Sequence, residues 1–264
     1  MIDYEISNPF VVLNPFSREK TLKICSQQWF SPKLEKAGFV SFRNEGLSWY
    51  RVIDQELLQC VYLFTTSSLL PASLVIGYAC HPFYLKPPIP QKLLIRDHVH
   101  DELLTAVYLP TPQRQTGALL CPDTDEHGAE VLDQIILPKL NQINTFEDAY
   151  AMHKQYWLDM ISNYQREYQV TTLPPGQKTS ISFAIETVVT QDEEMLPICI
   201  AQMEQYVQRL DEGLYSSKQE KRFNACRPLL MALKGEKRDE YLLELDRQKK
   251  QFIRRFTKLT GIEV

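Results

Sequence analysis

The chain has 264 residues, 44% of them hydrophobic and 23% charged, with a formal net charge of -4. This is the balance of a folded protein of one or two domains with an ordinary core. The small charge supplies no general field for nucleic acid or an anionic membrane. The opening Met1-Ile2-Asp3-Tyr4-Glu5 lacks the basic and apolar regions of a leader, and no run approaches the ~18 uncharged apolar residues of a membrane span. A cytoplasmic protein with no membrane partner is expected.

In chain order, residues 1–16 form an apolar lead-in marked by Pro9 and Pro15. Ser17-Arg18-Glu19-Lys20 opens a helix, a serine cap followed by charge. Leu22, Cys25, Trp29 and Phe30 fall near helical spacing, Pro32 interrupts, Leu34 and Ala37 resume, and Gly38 stops the helix. Strands are predicted over Phe39–Arg43, Leu47–Ile53, Leu57–Thr65 and Leu74–Cys80. Their connections are short, so consecutive strands pair antiparallel. Trp49, Arg51 and Ile53 alternate with Tyr50 and Val52, as in a half-buried strand.

Pro87-Pro88-Ile89-Pro90 is a rigid extended segment, and 91–126 mixes short strand candidates, Leu93–Ile95 and Leu103–Leu109, with three prolines. Helices are then predicted from about Glu126 to Leu140 and from the capping signal Asn144-Thr145-Phe146-Glu147 towards Tyr168. Further helices cover about Glu193–Leu210, Ser217–Leu233 and Lys237–Leu259. Ile181–Val189 is open between strand, by alternation, and helix, by context. Thr171–Thr179, with Pro174-Pro175-Gly176, serves as a linker. It separates an α+β domain at 1–170 from a helical C-terminal region at 180–264, docked or separate. The fold class is therefore α+β, an N-terminal helix on an antiparallel meander with helices after it.

Nine glycines never come closer than eight positions. A dinucleotide fingerprint, a P-loop and a nucleophile elbow each need glycines at much tighter spacing, so none can be written in this chain. The six cysteines (25, 60, 80, 121, 199, 226) are at least twenty positions apart. That removes local zinc and iron–sulfur patterns and thioredoxin-type pairs, and in a cytosolic setting these are buried thiols. No histidine precedes a glutamate, so no His-Glu-x-x-His helix exists. What survives is chemistry whose residues meet only in space.

The pattern Leu34-x-x-Ala37-Gly38-Phe39, a short polar gap, Gly46 and then Trp49-Tyr50-Arg51 resembles an uncharacterised bacterial family, domain of unknown function 4304. Leu137-Pro138-x-Leu140 followed by Thr145-Phe146-Glu147-Asp148 is similar to the same family, and the resemblance covers roughly 17–160. It implies an α+β fold and a bacterial cytosolic setting, and it brings no activity or catalytic residues. The helices after Thr179 lie outside it.

Several constellations carry possible chemistry. His98-Val99-His100-Asp101 can set two imidazoles on one side of a strand beside a carboxylate, with Cys121, Asp123, Asp125 and His127 as further ligand types. A solvated polar loop is the plainer reading, and no metal or cofactor is expected. Cys80 and His81 are neighbours on a strand and face opposite sides. Arg43, Arg51 and Arg96 would bind an anion if they converged, but a salt-bridged face is preferred. Trp29, Phe30, Phe39, Phe42, Trp49 and Tyr50 read as the main core rather than as a ligand cleft.

In the last helix Leu242, Leu245, Lys249, Phe252, Phe256 and Leu259 form a stripe at spacings of three and four. Leu245, Phe252 and Phe256 are expected to be buried against the preceding helices, with Arg247, Lys250, Arg254 and Arg255 in water. The functional expectation is a non-enzymatic protein-binding or adaptor module. The alternatives are an enzyme with a dispersed carboxylate or metal site near His98, His100 and Asp101, and nucleic-acid association through the basic last helix, which is disfavoured.

Overall fold

The computed structural model describes residues 30–41, 48–65, 74–86, 94–95, 132–169 and 178–264. The expected α+β order holds, strands first and helices after. The described residues belong to two compact units. A sheet unit takes 30–41, 48–65, 74–83, 94–95, 132–149 and 253–264, and a helical unit takes 84–86, 150–169 and 178–252.

The sheet unit begins with α1 (Ser31–Lys36), which carries Pro32 in its first turn. There the missing N–H of proline costs nothing, and the stretch before Phe30 that was expected to be helical lies outside the described residues. Gly38, at φ +85°, stops it. Its N–H donates to Glu35 O at 3.0 Å, and that of Phe39 donates to Leu34 O at 2.9 Å, the two bonds of a Schellman stop. Leu34 and Phe39 are both buried, which supplies the apolar contact of that motif.

β1 (Val40–Ser41), β2 (Ser48–Ile53), β3 (Leu57–Thr65) and β4 (Leu74–Pro82) follow as consecutive antiparallel neighbours. Asp54 and Gln55 sit at φ +49° and +55°, and Glu56 N–H donates to Ile53 O, so β2 turns into β3 through a type I′ turn. β5 (Leu94–Ile95) pairs parallel with the end of β3. α2 (Leu137–Asn141), with Pro138 in its first turn, follows a π-helical turn at Leu132–Ile136, where one straight helix up to Leu140 was expected.

The half-buried alternation expected for β2 is not what forms. Ser48, Trp49 and Tyr50 are all buried, as are Leu57 to Tyr62 in β3, because both faces of the sheet are covered. On one face the Trp49 indole N–H donates to Ser31 Oγ of α1 at 3.3 Å. Gln59 Nε2, on the same face, donates to Leu140 O (2.8 Å) and Ile143 O (3.0 Å). On the other face Phe256 meets the Tyr50 ring edge-on at 5.7 Å, with Phe83 at 6.1 Å. The stripe of the last helix is buried as expected, with Leu245 and Phe252 covered and Arg247, Lys250, Arg254 and Arg255 in water. Phe256, however, packs on the sheet rather than on the preceding helices.

The helical unit is built from α3 (Phe146–Tyr168, from Tyr150 onward), α4 (Lys178–Thr190), α5 (Leu196–Asp211), α6 (Ser217–Phe223), α7 (Cys226–Leu233) and α8 (Arg238–Thr260, up to Phe252). Thr145 and Asp148 cap α3 reciprocally, at 3.2 and 3.0 Å. The open segment Ile181–Val189 is helix. The single helix expected over Ser217–Leu233 breaks at Asn224–Ala225. Pro228 causes the break, since its ring displaces the carbonyl four residues earlier, that of Asn224, where α6 ends. Most of the expected linker at 171–179 lies outside the described residues.

Candidate functional site: a half-open cleft in the helical unit

Three helices and one turn of the helical unit surround a cleft of about 480 Å³. α8 supplies Glu240, Tyr241, Glu244, Leu245 and Gln248, whose spacings of three and four set them on one face of the helix, and Lys237 stands just before it. Pro228 and Met231 come from α7 with Ala225 before them, and Ser182 and Ile185 from α4. The turn Tyr84–Lys86 completes the wall. The floor is apolar, and the charged side chains stand at the mouth.

Local hydrogen bonds hold these walls together. The guanidinium of Arg238, at the start of α8, donates to Val188 O near the end of α4, at 3.1 and 3.3 Å. A cation on the last carbonyls of a helix satisfies them and suits the helix dipole. Lys237 and Lys86 both hold left-handed backbone, at φ +50° and +53°. Such conformations in residues other than glycine persist only where the surrounding structure enforces them.

The electrostatics of the mouth are uneven. Glu244 accepts from Arg247 through both oxygens, at 2.8 and 2.9 Å, and from Gln248 at 2.8 Å. The Arg247 and Gln248 bonds push its carboxyl down to about 2. Burial raises the Tyr241 phenol far above its ordinary value, which leaves it a neutral hydrogen-bonding group. Lys86, Lys237 and Glu240 are exposed.

Behind this wall lies a polar pair that composition and motif spacing do not reveal. Nδ1 of His153 on α3 lies 2.7 Å from Oε1 of Glu186 on α4, with side chains 1% and 0% exposed. Tyr150 and Trp157, one turn to either side of His153, both stack on Phe183, at 5.5 and 5.0 Å. α4 is therefore two-faced. Ser182 and Ile185 line the cleft, while Phe183 and Glu186 are clamped to α3. Outside the stack, Asp192 accepts from Tyr150 (3.0 Å) and Lys154 (2.7 Å), and its other oxygen accepts the N–H groups of Glu194 and Met195. Burial works against the Asp192 carboxylate, but these bonds outweigh it and hold the group below the usual range.

The residues singled out from the sequence fare differently. His98, His100, Asp101, Cys121, Asp123, Asp125 and His127 lie outside the described residues, as do Arg43 and Arg96. Among the described residues no three ligand-type side chains cluster. Arg51 is spent inside the sheet unit, donating to Gln59 Oε1 (2.9 and 2.6 Å), Ala37 O (2.8 Å) and Asn141 Oδ1 (2.8 Å) over the Phe39 ring. Phe30, Phe39, Trp49 and Tyr50 are core, as expected, and Cys80 and His81 are both buried on opposite faces of β4. The chain matches no protein-family model, no curated protein and no solved structure.

Proposed function

We infer that this chain is a non-enzymatic protein-binding module and that its partner docks at the cleft of the helical unit. The observation that supports this is a cavity of about 480 Å³ with an apolar floor and a charged mouth, a size typical of binding sites. His153, Glu186, Cys60 and Cys199 are not among the residues that line it. His153 and Glu186 are fully buried. The Cys60 and Cys199 thiols are pushed up to about 12 by burial, which removes their nucleophilic form near neutral pH. The same reading includes a cytoplasmic setting in a bacterium and a place in domain of unknown function 4304, on the helix–glycine–strand junction at Leu34–Phe39.

Affinity capture from a lysate of the source organism tests the reading. It should be run with the wild-type chain and with Ala225→Trp, which fills the cleft from an exposed position. A protein retained by the first and lost from the second is expected. A partner retained equally by both places the binding surface elsewhere.

A further inference from the structure

We draw no further inference here: the strongest candidate, the half-open cleft between α4, α7 and α8 of the helical unit, belongs to the site already described, and with Lys86 and Lys237 balanced by Glu240 and Glu244 in its lining nothing in the structure shows what covers it.

Discussion

The two units use buried polar groups to opposite ends. In the sheet unit, Gln59 and Arg51 reach out of β3 and β2 to carbonyls and an amide of distant segments, at Ala37, Leu140, Asn141 and Ile143. Each bond ties the sheet to a cover, and together they close that face. In the helical unit His153 and Glu186 face each other and hold α4 to α3. That leaves the neighbouring face of α4, with Ser182 and Ile185, to line an opening. A carbonyl-seeking network closes a surface, whereas a pair of facing side chains stiffens one wall and leaves the next available.

The largest expected effect breaks the buried pair of His153 and Glu186. Glu186→Leu leaves His153 buried without its carboxylate and should cost about 3–5 kcal/mol in denaturant unfolding. His153→Leu/Glu186→Leu should recover most of that loss, because an apolar pair of similar size needs no desolvation to be repaid. A double variant no more stable than the single one would show that packing, not pairing, holds α4. The sheet unit has its counterpart in Phe256. Phe256→Ala should cost about 3–5 kcal/mol by opening a cavity beside Tyr50 and Phe83. Arg254→Ala, on the exposed side of the same helix, should stay within about 0.5 kcal/mol.

Gln59→Leu sharpens the contrast at intermediate size. It strands the carbonyls of Leu140 and Ile143 and removes two of the four bonds of the Arg51 guanidinium, for about 2 kcal/mol. Faster hydrogen exchange at residues 137–143 than in α4 would localise the loss to the sheet unit.

The smallest effect is in pH. Asp192 has a lowered pKa in the fold, so its contribution is complete above the unfolded value of about 4. It fades as pH falls from there through the folded value. Asp192→Asn should cost roughly 1 kcal/mol at neutral pH, through the lost charge and the lost acceptor of Tyr150 and Lys154, since the amide oxygen still accepts the two N–H groups. The gap between wild type and variant should close below about pH 4. A gap that stayed constant down to pH 2 would assign the loss to shape rather than charge.

What was legible in the sequence was local. The strand Leu57–Thr65 forms with the bounds its pattern suggests, and Arg238–Thr260 differs from its expected span by one residue at each end. Gly38 works as a stop because left-handed backbone leaves a recognisable residue type behind. Tyr50 reads as core from its aromatic ring, but the second covered face of β2 does not, because alternation reports one covered face and is silent when Phe256, two hundred positions later, covers the second. The cleft left no local trace either, since its walls come from 84–86, 182–185, 225–231 and 237–248. The buried pair did leave a weak one. Tyr150, His153, Trp157 and Ile161 share a helical face, and a histidine on an otherwise apolar stripe asks for a buried partner. Nothing local pointed to Glu186 as that partner, thirty-three residues away.

The position of Phe256 also sets a timetable. During synthesis the segment from Tyr150 to Phe252 leaves the ribosome as one stretch, and the helical unit consists of that segment and the short turn at 84–86. The four strands emerge much earlier, yet the cover for the Tyr50 face arrives only with the final turns of α8. Until then a sheet with Tyr50 and Tyr62 on an open face waits in the cell, the kind of exposed apolar surface that chaperones retain and aggregates recruit. The residue that covers the Tyr50 face is added some two hundred positions after the strand it covers.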